Sequence, residues 1–202
     1  VAPVVDAIPV TTVNTSTLLI EGTHSEDGVI VEIFADNDND GVADNTTVLA
    51  SAEVGGVTSG IWSLTVPLTA NTANNFVVIA KDKAGNVSAP VDVATVTQDS
   101  VAPLVTVTTL ATADSTPALA GTVDDTTAVL SLVVGGNTYV PINNGNGSWA
   151  LADNQISALT NGVYDVAISA TDAQGNVGND TSTNELTIDL LPPSGYSAAI
   201  VQ

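Results

Sequence analysis

The hexapeptide Asp82-Lys83-Ala84-Gly85-Asn86-Val87 recurs as Asp172-Ala173-Gln174-Gly175-Asn176-Val177, and this recurrence decides the fold because other landmarks repeat around it in the same order. They are Val1-Ala2-Pro3 with Val101-Ala102-Pro103, Gly22-Thr23 with Gly121-Thr122, Trp62-Ser63-Leu64 with Trp149-Ala150-Leu151, and Asp99 with Asp189. Such self-similarity indicates tandem copies of one structural unit. We predict one repeat over residues 1–99, a second over 100–190, and the start of a truncated third repeat or a tail over 191–202.

Short β-branched runs separated by Gly, Asn, Asp and Pro predict about seven strands in each repeat. In the first repeat they lie near residues 4–13, 16–23, 28–35, 46–54, 60–66, 75–82 and 91–98. Buried and exposed positions are expected to alternate along 29–34 and along 163–170. This pattern predicts an all-β chain of two tandem immunoglobulin-like Greek-key β-sandwiches, with Trp62 and Trp149 in the cores.

The composition excludes several classes of function. The formal charge of -20 would repel duplex DNA and anionic membranes, so neither nucleic-acid binding nor direct membrane insertion is expected. The chain has no Cys and one His, which removes disulfides, thiolate metal sites and multi-histidine zinc sites. A hydrophobic content of 44% separates it from disordered acidic tails.

The first residues lack the basic start and apolar run of a signal peptide, and no run of 18 apolar residues occurs. We therefore expect an interior segment of a longer protein. An acidic, Thr-rich and Asn-rich chain without Cys is typical of exported bacterial surface proteins, so we predict an extracellular location at the bacterial cell surface.

The repeated order Val-Ala-Pro, Gly-Thr, Gly-x-Trp and Asp-x-x-Gly-Asn-Val resembles the bacterial Ig-like extender repeats of giant surface adhesins, including the RTX and biofilm-associated kinds. The resemblance covers residues 1–190. It implies a calcium-stiffened, monomeric stalk whose modules contact neighbouring Ig-like repeats of the same chain. Such a stalk holds a distal ligand-binding module away from the cell.

The most informative motif lies in an insertion between Gly22-Thr23 and Trp62. The segment Asp36-Asn37-Asp38-Asn39-Asp40-Gly41-Val42-Ala43-Asp44 has the spacing D-x-D-x-D-G-x-x-D of a calcium loop, and it resembles the loops of thrombospondin type 3 and dockerin repeats. The predicted calcium ligands are the carboxylates of Asp36, Asp38, Asp40 and Asp44 and the carbonyl of Val42. Position 12 is Thr47 rather than the Glu of an EF-hand, and the alternative is a solvated acidic turn.

A second calcium site is predicted where the repeats meet. In an immunoglobulin sandwich the B–C and F–G loops lie at the N-terminal end, so those of the second repeat should face the linker. The predicted ligands are Asp99, Asp124, Asp125 and Asp172. By the same argument, half-sites shared with absent neighbouring domains are predicted at Glu26, Asp27, Asp82 and Asp189. The alternative is that Asp82 and Asp172 cap their turns, while Asn86 and Asn176 adopt left-handed geometry.

Catalysis is not expected. Ser-His-Asp chemistry would have to use His24, which stands alone in Thr23-His24-Ser25-Glu26 and is predicted to be an exposed loop residue instead. A sandwich of this size supplies no evident cleft for a pair of catalytic carboxylates. The remaining alternative to a stalk is a module that binds glycan or ice, or one that mediates homotypic adhesion.

Overall fold

The computed structural model describes residues 1–55 and 60–193. It divides into two compact units, Val1–Val101 and Ala102–Gln202. The regular structure of the described residues is β-strand, and they contain no helix long and apolar enough to cross a membrane. Most of the segment predicted to begin a third repeat, residues 194–202, lies outside the described residues.

The first unit contains eight strands within its described residues. They are β1 (Val4–Val5), β2 (Thr12–Val13), β3 (Thr17–Thr23), β4 (Val29–Ala35), β5 (Ala50–Val54), β6 (Ile61–Pro67), β7 (Thr72–Lys81) and β8 (Val91–Gln98). Strands β1, β3 and β6 form one sheet, and the second has the order β2-β8-β7-β4-β5. All seven predicted strands are present, and the first is divided because β1 pairs with β3 while β2 crosses to pair in parallel with β8.

The predicted alternation is confirmed along β4, with one exception. Val29, Val31 and Ile33 are buried, and Ile30 is exposed. Phe34 belongs to the outward set, yet only 7% of its surface is exposed. Phe34 is not part of the hydrophobic cluster of the core, so its burial comes from atoms on the outer face of the sheet.

The second unit has shorter strands. They are β9 (Val105–Val107), β10 (Leu110–Thr112), β11 (Leu119–Val123), β12 (Val129–Val134), β13 (Asn137–Tyr139), β14 (Ile142–Asn143), β15 (Ser148–Leu151), β16 (Gly162–Tyr164), β17 (Ala167–Thr171), β18 (Val177–Asn179) and β19 (Leu186–Ile188). Their sheets have the orders β14-β15-β11-β9, β13-β12-β17-β18 and β10-β19-β16. The long strands β7 and β8 of the first unit therefore correspond to the broken pairs β16/β17 and β18/β19.

Two carboxylates bridge the break between β16 and β17. Asp165 Oδ1 accepts a hydrogen bond from the N–H of Asn184 at 2.7 Å, and Glu185 Oε2 accepts one from the N–H of Val166 at 2.9 Å. The side chains thus replace backbone acceptors of the ladder, and Glu185 keeps the buried N–H of Val166 paired. Glu185 itself is only 2% exposed.

Both predicted core tryptophans are buried, Trp62 at 3% and Trp149 at 1% exposure. Each belongs to the hydrophobic cluster of its own unit. The alternation predicted along 163–170 is also confirmed, since Val166, Ile168 and Ala170 are buried. The all-β immunoglobulin-type architecture is therefore present in both units.

Candidate metal centre

The acidic insertion begins where β4 ends and curls around one buried carboxylate. Asp36 is fully buried, and its N–H donates to the carbonyl of Asn75 at 3.1 Å. Its carboxylate accepts hydrogen bonds from the N–H groups of Asp40 at 3.1 Å and Gly41 at 3.0 Å. The bend requires left-handed backbone at Gly41, with φ of 80°, which glycine adopts without steric cost.

Three carboxylates converge inside this curl. Oxygen atoms of Asp36, Asp38 and Asp40 all lie within 4.8 Å of one another. Among residues 1–55 and 60–193, this is the one group of three or more acidic, His or Cys side chains with such spacing. Repulsion from Asp40, with smaller contributions from desolvation and from Asp44 and Asp36, raises the pKa of Asp38 above its ordinary value. The cluster therefore favours a positive ion at its centre.

The other two predicted ligands are engaged differently. Asp44 Oδ2 accepts hydrogen bonds from the backbone N–H and the side-chain amide of Asn37. Val42 donates its N–H to Asp40 Oδ1 at 2.9 Å. Asp44 consequently stands outside the group of three, and ligation by Asp44 and by the Val42 carbonyl stays a prediction.

The acidic residues predicted at the junction have local partners. Asp99 belongs to the first unit and accepts a hydrogen bond from Val101 at 3.0 Å. In the second unit, Asp124 accepts from Leu104 at 2.8 Å, and Asp125 from Thr127 at 2.7 Å. Asp124, Asp125 and Asp172 do not form a group like the one in the insertion. Their role in metal binding stays a prediction.

Asp82 and Asp172 each organise the turn that follows. In both turns the carboxylate accepts hydrogen bonds from the backbone N–H and the side-chain amide of the Asn four residues later, Asn86 or Asn176, all at 2.8 Å. The capping that the alternative assigned to Asp82 and Asp172 is present, but the left-handed geometry that it assigned to Asn86 and Asn176 is not. Gly85 and Gly175 adopt it instead, with φ of 89° and 85°, which frees the Asn side chains to bind the carboxylates.

These hydrogen bonds stabilise the charged form of both turn carboxylates. The amide of Asn86, followed by backbone N–H groups, lowers the pKa of Asp82 below its ordinary value. At Asp172, desolvation acts in the opposite direction, but hydrogen bonds from Asn176 and from backbone N–H groups outweigh it and lower the pKa.

The remaining predicted half-site residues are scattered over the two units. Glu26 donates its N–H to His24, and Asp189 accepts from Leu191 at 3.1 Å. Asp27 lines a small polar pocket with Glu53 and with Lys83, and the Lys83 Nζ lies 3.8 Å from Glu53 Oε1. A lysine ammonium thus already offsets part of the negative charge beside Asp27.

His24 is buried, so its predicted exposure is wrong. Only 5% of its surface is exposed. Its Nε2 donates to the carbonyl of Val1 at 2.9 Å, while Nδ1 accepts the N–H of Glu26 at 3.1 Å. The imidazole therefore secures the start of the chain against the end of β3. Its neighbours in sequence gave no sign of this because Val1 is distant along the chain.

A family model described as bacterial Ig-like domain matches residues 106–190. No curated protein matches the chain. Solved structures of bacterial adhesins are among those similar to the chain. One is a Ca2+-stabilised adhesin with which an Antarctic bacterium binds ice, at 22% identity and a TM-score of 0.46 over 91% of this chain and 48% of that one. Another is a 1.5-MDa bacterial ice-binding adhesin, at 21% identity and a TM-score of 0.46 over 93% of this chain and 64% of that one.

The third is a tetra-tandem repeat in the extending region of a large adhesion protein, at 22% identity and a TM-score of 0.41 over 94% of this chain and 49% of that one. The chain spans about half to two thirds of the length of these structures. The all-β strands of the second unit agree with the similarity of residues 106–190 to a bacterial Ig-like domain.

Proposed function

We propose that this chain is part of the extracellular stalk of a bacterial surface adhesin and that calcium bound by the acidic insertion stiffens it. The tandem Ig-like units, the net charge of -20 and the absence of Cys support a non-catalytic spacer outside the cell. Its role is mechanical: it holds a distal ligand-binding module away from the cell surface. The stalk acts as a monomer, and its modules contact neighbouring Ig-like repeats of the same chain.

One observation carries the calcium proposal. Three carboxylates, those of Asp36, Asp38 and Asp40, approach within 4.8 Å in a loop that a buried aspartate and a left-handed glycine hold closed. Calcium takes six to eight oxygen ligands in flexible geometry, which such a loop supplies with backbone carbonyls and water. Zinc prefers His and Cys, and magnesium prefers a smaller octahedron with retained water.

Calcium would act by joining charges that otherwise repel. In its absence the loop carboxylates favour an open insertion, and motion between domains is the default for modules joined by a short linker. Because the unfolded chain cannot assemble the site, bound calcium also stabilises the folded first unit by mass action.

Titration calorimetry of the whole chain with calcium tests the proposal. We expect heat of binding for calcium and weaker heat for magnesium. The double variant Asp38→Asn/Asp40→Asn should lose the calcium signal. The double variant Asp6→Asn/Asp92→Asn is the matched control, because it makes the same change in charge at exposed positions outside the loop. Absence of calcium binding by the unaltered chain would overturn the proposal.

Homotypic adhesion and ligand binding are the competing functions, and each gives a different result. Sedimentation velocity with and without calcium separates a monomeric spacer from a self-associating module. A glycan site usually presents exposed aromatic rings, whereas Tyr139 and Tyr164 are partly buried against the core of the second unit. The third tyrosine, Tyr196, lies outside the described residues.

A further inference from the structure

The outer face of the larger sheet in the first unit carries a buried apolar patch. Phe34 on β4 and Val77 on β7 are direct cross-strand partners, and their exposed fractions are 7% and 0%. Both alternate with core-facing neighbours such as Ile33 and Val78, so they point away from the sandwich core. Their burial therefore comes from atoms on the outer side of the sheet.

The second half of the insertion, residues 42–48, borders this face, and we call it the strap. Strap residues line one groove of about 680 Å³ together with Phe34, Val77 and Ile79, and Val87, Ser88 and Pro90 also line it. Two backbone hydrogen bonds hold the strap beside β4, one from within it and one from the residue that follows it. Asp44 donates to the carbonyl of Ala35 at 3.1 Å, and Leu49 donates to that of Ile33 at 2.9 Å.

The second unit supplies a natural comparison because it has no such insertion. Its strands β12 and β13 are joined by the short turn Gly135-Gly136. The residue pair Val133 and Ala167 lies in the register that corresponds to Phe34 and Val77, and both residues are exposed, Val133 at 40%. At this register the apolar pair is buried in the unit that has a strap and exposed in the unit that lacks one.

The strap follows the acidic curl without a break. Residues 36–41 place three carboxylates within 4.8 Å of one another, and the strap begins at the next residue, Val42. Repulsion among these carboxylates opposes the closed curl, and with it the position of the strap. A bound cation attracts all three carboxylates, so the electrostatic energy then favours the closed curl.

We infer that the strap is a calcium-controlled cover over the apolar face formed by Phe34, Val77 and Ile79. With calcium bound, the curl closes and the strap shields this face. Without calcium, the curl opens and the face becomes accessible while the sandwich beneath it stays folded. The inference rests on the proposed calcium site and adds to it a conformational consequence.

Thiol labelling tests this sharply because the chain contains no Cys. In Val77→Cys, the new thiol reports on the face beneath the strap. We expect at least a tenfold faster reaction with a thiol reagent in chelator than in calcium. Ala167→Cys, at the corresponding exposed position of the second unit, should react at the same rate in both conditions. Val78→Cys faces the core and should stay unreactive in both.

Parallel calorimetry distinguishes failure of the cover from failure of the calcium site. If calcium binds but the Val77→Cys thiol is equally protected with and without it, the cover is wrong and the metal site stands. If the Val78→Cys thiol also becomes reactive in chelator, calcium holds the whole unit together and the separate cover is again wrong. If calcium does not bind, the proposed function fails first. Should Val77→Cys fold poorly, Ile79→Cys is a second reporter in the same groove.

Discussion

Gly121 on β11 lies directly opposite Trp149 on β15, and the indole ring occupies the space beside the glycine. A Cβ on residue 121 would stand 2.6 Å from Trp149 Nε1 and 1.9 Å from the carbonyl oxygen of Thr106. In the first unit, Gly22 and Trp62 form the same pair, and a Cβ there would meet Trp62 Cζ2 at 2.5 Å. The repeated Gly-Thr and Trp motifs are therefore two halves of one contact.

We predict that Gly121→Ala destabilises the second unit by about 3 kcal/mol, because a backbone carbonyl and a packed ring must both shift. Calorimetric unfolding of the whole chain measures this loss. Gly162→Ala is the control, since a Cβ there meets its nearest neighbour at an ordinary 3.5 Å. Equal effects of the two substitutions would contradict the proposed packing.

The two tryptophans should respond differently to replacement by Phe. Trp149 Nε1 donates to the carbonyl of Thr106 at 2.8 Å, whereas Trp62 Nε1 is buried and has no partner among the described residues. Trp149→Phe should therefore cost about 1 kcal/mol more than Trp62→Phe in free energy of unfolding, because it alone breaks a hydrogen bond. Denaturant unfolding of both variants provides the comparison.

Glu185 should stabilise the second unit through the carboxylate oxygen that accepts the hydrogen bond from Val166. Glu185→Ala leaves the N–H of Val166 without its partner, and we expect a loss of about 1–3 kcal/mol in the stability of the second unit. Glu185→Gln keeps an acceptor and removes a buried carboxyl whose Oε1 has no partner among the described residues, so it should cost less. Thermal unfolding measures both, and a larger loss for Gln than for Ala would contradict this role.

The turn carboxylates should make stability depend on acid pH. The folded pKa values of Asp82 and Asp172 lie below the ordinary value of 3.8, so their contribution is present above that value. It is lost as pH falls through the lower folded pKa. Asn86→Ala and Asn176→Ala should each raise the pKa of the aspartate in the same turn toward 3.8. Carboxyl NMR titration measures the shift, and each turn serves as the control for the other.

The effect of Asp38→Asn on the stability of the first unit should change sign when calcium is present. Without metal, the substitution removes a carboxylate that is repelled by its neighbours, and this repulsion raises the pKa of Asp38. The first unit of the variant should therefore be more stable at neutral pH than that of the unaltered chain. With calcium it removes a ligand, so the same substitution should lower stability and weaken binding. Melting curves with and without calcium test both directions. A loss of stability in both conditions would contradict repulsion at this position.

Much of the fold could be predicted because its signals are local. Alternation along β4 and β17 and turn residues between runs are encoded within a few positions of one another. The strand breaks of the second unit could not be predicted from such local signals. The break at Asp165 and Val166 depends on the N–H of Asn184, which donates to Asp165, and on the carboxylate of Glu185, which accepts from Val166. Both partners lie elsewhere in the sequence.

The candidate site was predictable as a motif but not as a geometry. Spacing alone singled out Asp36, Asp38 and Asp40, since alternate side chains of a tight curl converge. Spacing equally suggested Asp44, which the structure pairs with Asn37. The preference of Asp44 for an amide neighbour depends on the path of the whole loop, and no residue pattern records that path.

The sequence by itself determined the repeated unit, its β-strands and its buried tryptophans, because these follow from short-range polarity and turn chemistry. Tertiary structure alone decided that Gly121 must face Trp149 and that His24 is buried beside Val1. Both contacts join positions distant along the chain, so their energy depends on which surfaces the packed sheets bring together.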